Sequence, residues 1–359
     1  MRTIVHIIDS LGRGGTETLL TDLLPYLAQR YRIILVTLSP VNEFGDHVFS
    51  FCERHYCLNH KGPVSLPASV SKLRRIIRKH QPALVRSQLV LSTVLARLAT
   101  PRHVPLVFSI HNTLSSLIPR NLSGNIVRWI EKNVRKKNVL LVGVTQAIID
   151  DYRKHFGYKG ESIVLYNYVR DDFFRIPLTT LPASGTLRLL AVGNLRPQKN
   201  YPFMVEAFRY LKDFPVSLDI YGEGSLRPAL EKIIQEEQLN VTLKGKVSDV
   251  AAVMPAYDAF LMLSSFEGFG IAVAEAMAAK KPLILSDIPV FREITRSTAV
   301  FVSLASATDF AEQLKQLSKD NSSLQSMIQP NNQQAVQYYS RNAYLKQLDA
   351  IYEKALSGL

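Results

Sequence analysis

The sequence is poor in the features that would point away from an ordinary globular enzyme. It has two cysteines, one tryptophan and no apolar run of the roughly 18–20 residues that a helix needs to cross a bilayer. Cys52 and Cys57 form no C-x-x-C pair and have no histidine at metal-ligand spacing, which argues against a disulfide framework or a zinc site. A reduced, cytoplasmic chain is the simple reading. The opening Met-Arg-Thr-Ile-Val-His-Ile-Ile is basic and then apolar, like a leader. Asp9 interrupts it, however, and no small-residue cleavage site follows, so it reads as a first buried strand. No D-x-D stands in a plausible loop. The pairs Asp150-Asp151 and Asp171-Asp172 read as solvated helix ends or turns. Acid is also scarce in the first half: residues 1–170 hold 24 Lys and Arg against 10 Asp and Glu, a net of +14, whereas the remainder is near neutral and the whole chain is +13. Such asymmetry suggests that the first half meets something anionic.

What is present is a regular alternation. Short runs rich in Val, Ile and Leu recur at Thr3–Ile8, Arg32–Leu38, Ala83–Ser87, Leu106–Ile110, Val139–Val144 and Ser162–Tyr166. They recur again at Leu187–Val192, Ser217–Tyr221, Val241–Lys244, Ala259–Leu263, Pro282–Ser286 and Ala299–Val302. Helix-length segments separate them, the pattern of βαβ units and parallel sheets. The pattern occurs twice, so two Rossmann-like doubly wound α/β domains are expected, 1–170 and 186–340. The aperiodic, proline-bearing stretch 175–185 is the linker between them. The tail from Asn331 opens with polar Asn and Gln, then turns helical through Ala343–Leu356.

The sharpest motif is Ser264-Ser-Phe-Glu267-Gly-Phe-Gly270, followed by Ile-Ala-Val-Ala-Glu275. A strand enters, Gly268 and Gly270 permit a tight turn, and a helix leaves, so backbone N–H groups and the helix dipole converge on one point. Glu267 is expected at the rim, and Glu275 about two turns into the helix. Two carboxylates so spaced can grip two separate hydroxyl-bearing groups; the plainer alternative is a capping Glu and a surface Glu. A second loop, Gly193-Asn194-Leu-Arg196-Pro-Gln-Lys199, follows the first strand of the second half. It can hold a diphosphate, or be a basic surface turn. A third, Gly12-Arg-Gly14-Gly15-Thr-Glu17, follows the first strand of the chain and opens a helix. By itself it would also suit a dinucleotide enzyme. Against that, the G-x-G-x-x-G spacing is absent and Leu38-Ser39-Pro40 stands where such enzymes carry an acid. His111 ends the strand Leu106–Ile110 and faces the crevice, or is a satisfied structural histidine.

Together these residues resemble glycosyltransferase family 4 (group 1), which has the GT-B fold of two Rossmann-like domains facing across a cleft. The resemblance covers essentially the whole chain and rests on the E-x7-E signature. It implies that Glu267 and the Gly268-Phe269-Gly270 backbone hold a donor sugar and that Glu275 binds the ribose. Lys199 matches the lysine of the family's G-R-L-x-x-x-K-G loop, which stabilises the departing diphosphate. Asn194 stands at that loop's arginine, with Arg196 two residues along as a substitute. Gly14 and Gly15 match the G-G-x-E loop over the diphosphate, and His111 a histidine near sugar and acceptor. Lys246 and Val247 lie where the base rests. Tyr221-Gly222-Glu-Gly224 matches a structural turn, Asp287 to Glu293 a loop near the site, and Asn167 a hinge.

The resemblance implies a retaining hexosyltransferase that takes a nucleotide-diphosphate sugar, UDP first and GDP next. It would use no cofactor and no metal, and act on a glycan or lipid-diphosphate acceptor in bacterial cell-surface polysaccharide synthesis. The family's C-terminal helix, here 343–359, packs back on the N-terminal domain. Two basic amphipathic segments, Lys72–Lys79 and Ile126–Lys137, the latter with Trp129, are surface helices with a core face or contacts to an anionic membrane. The second reading makes the enzyme peripheral on the inner face of the cytoplasmic membrane. No nucleic-acid-binding motif accompanies the charge, and nucleic acid is not expected as a partner. The competing readings are a catalytically weak nucleotide-sugar-binding relative, suggested by Asn194, and an NAD-dependent Rossmann enzyme.

Overall fold

The computed structural model describes residues 1–113, 122–134, 138–178, 181 and 185–358, with residues 122, 123 and 126 described by their backbone alone. Arg135, Lys136 and Lys137, the Ile126 side chain, part of the 175–185 linker and Leu359 lie outside the described residues. The chain forms two compact units, Met1–Leu165 with Gln347–Leu359, and Tyr166–Lys346.

In the first unit the strands are β1 (Thr3–Ile8), β2 (Arg32–Thr37), β3 (Arg54–Cys57), β4 (Leu84–Gln88), β5 (Leu106–Ile110), β6 (Val139–Gly143) and β7 (Glu161–Val164). Its helices are α1 (Gly15–Ala28), α2 (Leu66–His80), α3 (Val90–Ala99), α4 (Leu122–Asn133) and α5 (Gln146–Phe156). The strands form one all-parallel sheet in the order β3-β2-β1-β4-β5-β6-β7. Strands β1, β5 and β6 are buried along their whole length, which is why they read as largely apolar runs, whereas β4 is as buried but carries Arg86, Ser87 and Gln88 in its carboxyl-terminal half. Strand β3, Arg-His-Tyr-Cys, sits at the sheet edge and is only partly buried, so no apolar run marks it and the sequence pattern passes over it. Helix α2 buries Val70, Leu73, Ile76 and Ile77 and leaves Lys72, Arg74, Arg75, Arg78 and Lys79 in solvent. It is a surface helix with a core face and a basic outer face.

The second unit carries α6 (Asp171–Phe174), β8 (Leu187–Val192), α7 (Tyr201–Phe208), β9 (Val216–Tyr221), α8 (Arg227–Glu236), β10 (Val241–Gly245) and α9 (Val250–Val253). These are followed by β11 (Ala259–Met262), α10 (Ile271–Ala278), β12 (Leu283–Ser286), α11 (Pro289–Thr295), β13 (Val300–Val302), α12 (Ala307–Lys319), α13 (Ser322–Tyr339) and the start of α14 (Arg341–Ser357). Its sheet, also all parallel, runs β10-β9-β8-β11-β12-β13. A core of Leu189, Phe208, Leu218, Leu261, Phe310 and Leu314 joins sheet to helices. Asn331 does not open a polar tail; it lies inside α13. It falls on the buried stripe Leu324, Ile328, Asn331, Ala335, Tyr339, and a polar residue on that stripe hides the helical period from a reading of the sequence.

In both sheets the strand order reverses next to the first strand, between β1 and β4 and between β8 and β11. In open α/β sheets, ligands bind at the carboxyl ends of the strands at such a switch point.

Candidate functional site

In the second unit the switch point brings two loops together. Strand β8 pairs with β11 (Leu189 with Ala259, Leu190 with Phe260), so Gly193–Lys199 and Ser264–Gly270 leave the sheet side by side. They are laced to each other. The Ser265 N–H donates to Gln198 O at 2.9 Å and Gln198 Nε2 donates to Phe266 O at 2.8 Å. Lys199 Nζ donates to Glu267 Oε1 at 2.7 Å, and Ser264 Oγ donates to the same oxygen at 2.8 Å. Ser286 Oγ, at the end of β12, donates to Ser264 O at 2.6 Å and holds that turn against the sheet. The sequence expects Glu267 at the rim; it is in fact only 8% exposed. A carboxylate can lose that much water because an ammonium and a hydroxyl replace it.

The Gly193 loop is set by close backbone approach. The Gly193 N–H donates to Tyr221 O and the Leu195 N–H to Glu223 O, both at 2.9 Å, and Tyr201 Oη donates to Gly193 O at 2.9 Å. A Cβ on Gly222 would lie 2.0 Å from Gly193 O, and one on Gly224 2.5 Å from Leu195 O. The Tyr221–Gly224 turn is therefore a buttress for the loop that ends in Lys199.

Gly270 precedes α10 with φ +79°, and a Cβ there would meet Phe291 Cε1 at 2.9 Å. The helix's N-cap residue is a glycine, so no N-cap side chain takes up its first N–H groups. Phe269 is buried edge-on against Tyr339, ring centres 5.5 Å apart, which leaves the turn's backbone rather than its ring to meet a ligand. In the first half of α10, Glu275 has its carboxyl pushed up to about 7, chiefly by burial; Arg170 opposes this and Asp172 adds to it. Asn194 and Arg196 are exposed, and among the described residues the Arg196 side chain makes no ion pair. Lys246, exposed, and Val247, half-buried, follow β10 at the sheet edge, two strands from β8. Asp287 is held below the usual carboxylate range by a two-pronged pair with Arg292, and Glu293 accepts from Tyr166 Oη at 3.1 Å. Asn167 is half-buried, and its Oδ1 has no hydrogen-bond partner among the described residues.

The first unit has its own strand-end cluster. Gly14 precedes α1 and Gly15 begins it, with the Glu17 carboxylate folded against Gly14. Asp9, directly after β1, accepts from the Ser92 N–H at 2.8 Å and from the Ser92 hydroxyl, tying the β1 loop to the start of α3. Burial raises the Asp9 carboxyl, and His60 opposes the shift. This cluster is absent from the sequence reading, in which Asp9 served only to argue against a leader; its partners lie 83 and 51 positions away. His111 follows β5 and is half-buried, and its Nε2 has no hydrogen-bond partner among the described residues. Burial, then the Arg86 guanidinium, press it down to about 3, so it is a neutral imidazole at physiological pH. Among the described residues no group of three or more His, Cys, Asp or Glu is disposed to hold a metal ion, and no helix is long and apolar enough to cross a membrane.

Two family models match the chain, Glycosyltransferase Family 4 over residues 13–173 and Glycosyl transferases group 1 over residues 179–334. The chain belongs to the group 1, family 4 glycosyltransferases. A Campylobacter jejuni relative, N-acetylgalactosamine-N,N'-diacetylbacillosaminyl-diphospho-undecaprenol 4-alpha-N-acetylgalactosaminyltransferase, is 24% identical over 80% of this chain and 81% of its own. The Salmonella typhimurium O-antigen chain mannosyltransferase RfbU is 30% identical over 47% of each. Among solved structures, Anabaena HepE in complex with UDP superposes with a TM-score of 0.82 at 17% identity, covering 98% of this chain and 99% of that one. Two parallel-sheet Rossmann-like units and this likeness make the fold GT-B.

Proposed function

We propose that this glycosyltransferase is a retaining enzyme that moves a hexose-type sugar from a nucleoside-diphosphate donor, UDP first and GDP next. The acceptor is a glycan or lipid-linked glycan of bacterial cell-surface polysaccharide synthesis, and the enzyme works at the cytoplasmic side of the membrane as a peripheral protein. The observation that carries this reading is the meeting of Lys199, Glu267 and the uncapped start of α10 at the β8/β11 switch point. It is a place where a cation and N–H groups face one anion while a carboxylate faces a neighbouring polyol. The named acceptor of the Campylobacter relative and the UDP complex of the Anabaena protein support the choice of partners.

In this reading Lys199 and the α10 N–H groups hold the diphosphate, with the Gly14 and Gly15 backbone as further donors. Glu275 takes the ribose hydroxyls, Lys246 and Val247 border the base, and Glu267 with the Gly268–Gly270 backbone orients the sugar. The bond from C1 to the diphosphate oxygen breaks as the acceptor hydroxyl bonds to C1 from the same face, and the hydroxyl proton passes to the departing diphosphate. Fixed donors aimed at the phosphates stabilise the developing charge, so no metal is required. His111, uncharged, is a hydrogen-bonding group for sugar or acceptor rather than a cation. Exposed Asn194 and unpaired Arg196 favour a second reading, a chain that binds the donor and turns it over weakly.

Thermal unfolding with UDP, GDP, ADP, CMP and NAD in parallel tests the donor. A ligand at about 100 times its dissociation constant adds roughly 2.7 kcal/mol. Stabilisation by UDP or GDP, lost in Glu275→Ala, supports the site; stabilisation by NAD alone sinks it. The anomeric configuration of the product, read by NMR, decides retention.

A further inference from the structure

The basic charge of the first unit has a centre that the proposed reaction does not use. Residues 54–130 hold 12 Lys and Arg and not one Asp or Glu. Part of that charge gathers at the amino edge of the unit's sheet, the opposite edge from the β1/β4 switch point. There α2 and α3 end and the chain turns into β4 and β5. Arg74 and Arg78 of α2, and Arg102 beyond the end of α3, line a cavity of about 260 Å³ together with Thr100 and Pro101. Arg78 and Pro101 also border a second cavity of about 690 Å³, walled by Pro82, Val104 and Pro105 with Gln81 and His103.

Two helices that end together bring the negative ends of two dipoles, roughly half a charge each. That calls for about one cation, and Arg74 supplies it: its Nη2 donates to Leu98 O, among the last carbonyls of α3, at 2.8 Å. Arg78 lies one turn after Arg74 on the same face of α2. Arg102 stands in a turn closed by the Val104 N–H donating to Pro101 O at 3.1 Å, and Asn138 Nδ2 donates to its carbonyl at 3.5 Å. Among the described residues none of these three guanidiniums is in an ion pair. Three positive charges against roughly one negative leave about two in excess, close to the charge of a phosphate monoester at neutral pH.

We propose that this edge is a second ligand site, which takes a soluble phosphate monoester: the phosphate among Arg74, Arg78 and Arg102, and the organic body across Pro101 in the larger cavity. Planar guanidinium forks match phosphate oxygens. The proline rings of the larger cavity offer a rigid apolar wall to a ring or chain, with Gln81 and His103 as hydrogen-bonding groups beside it. The site shares no residue with the donor loops of the second unit, so the two fill independently.

Isothermal titration of the full chain tests this, with phenyl phosphate, inorganic phosphate and phosphatidic acid vesicles as probes. The expected result is saturable one-to-one binding of phenyl phosphate, tighter than that of inorganic phosphate. Affinity should fall by about tenfold or more in Arg78→Gln and in Arg102→Gln, and hold in Lys199→Ala. Arg78 and Arg102 are exposed, and an unfolding midpoint equal to the parent's checks that each variant folds. The proposal is overturned by no saturable response to phenyl phosphate, by inorganic phosphate binding as tightly, or by undiminished affinity in the two folded arginine variants. Loss in Lys199→Ala alone would overturn it too, by moving the ligand to the donor loop. So would binding of vesicles without binding of phenyl phosphate, which would make the edge a diffusely charged face rather than a site.

Discussion

Lys199 Nζ and Glu267 Oε1, 68 positions apart in the chain, lie 2.7 Å apart where the loops after β8 and β11 meet. On the proposed reading neither group acts alone: the ammonium that would meet a phosphate is also the one that offsets the buried carboxylate that would meet a sugar. Lys199→Ala should lower kcat by roughly 10²–10³-fold, the usual loss when one fixed donor to a developing anion is removed. Glu267→Gln, which keeps the shape, should also depress kcat. In the double variant the losses should not add, with a coupling of about 0.5–3 kcal/mol. Steady-state turnover of the donor identified by the unfolding screen provides the numbers. Turnover unchanged in Lys199→Ala would remove the phosphate role assigned to that residue.

If Glu275 takes the ribose as proposed, donor binding is pH-dependent. Its carboxyl titrates near 7 against a usual value of 4.5, mainly because it is buried. The folded state therefore holds the proton more tightly than the unfolded chain does. This group's contribution to stability is greatest at low pH and declines as pH rises between about 4.5 and 7. Ribose hydroxyls donate to the ionised form and favour it, so UDP affinity should climb as pH passes through 7 and level off above. Calorimetric titration from pH 6 to 8.5 with the native protein and Glu275→Gln isolates the effect, since the nucleotide's own titration is common to both. Identical pH profiles would show that Glu275 does not meet the nucleotide.

The parts legible in the sequence are those whose signal is local. Twelve of the strands lie within two residues of where the apolar runs place them; for those buried along their whole length, such as β1, β5 and β6, the reason is that parallel strands covered on both faces are rich in Val, Ile and Leu throughout. The Glu267–Glu275 segment is legible because glycines, acids and helix start occur within one turn and one helix. The contacts that fix the site are not. Ser264 bonding to Glu267, Ser286 bonding to Ser264 O, and Asp9 bonding to Ser92 depend on which strands are neighbours in the sheet, and strand order is not written in any one segment. Edge strand β3 fails for the converse reason: partial burial demands no apolar pattern.

The Tyr221–Gly224 turn gives a prediction in which backbone contact decides function. Gly222→Ala would put a methyl group 2.0 Å from Gly193 O, and backbone on both sides has no flexible end to yield. The Gly193 loop must shift, and Lys199 with it. We expect Gly222→Ala to weaken UDP binding by about tenfold or more while β8 and β9 stay paired. Gly185→Ala, at φ +121° but with nothing within 4 Å of its Cβ, is the control that carries backbone strain without the clash. Isothermal titration compares the two, and native UDP affinity in Gly222→Ala would contradict the buttress.

Glu131 ties α4 to α3 and α5 through charge in a dry place. Its carboxylate is buried, with Arg97 Nη2 at 3.5 Å and the Tyr152 hydroxyl donating to it; Arg97 Nη1 also donates to Val134 O at 3.1 Å, and its guanidinium lies 4.5 Å above the Phe108 ring. Removing one member strands the other's charge, so Glu131→Ala should destabilise the first unit by about 3–5 kcal/mol. Because the chain has two units, the measurement must separate them: Trp129 emission follows the first in urea, and UDP affinity below the transition follows the second. The Trp129 midpoint should fall while UDP affinity holds. The cost arises from an unpaired buried charge rather than from the worth of the pair. Arg97→Met combined with Glu131→Leu should therefore recover much of the lost stability. A double variant no more stable than Glu131→Ala would locate the loss in packing around α4 instead.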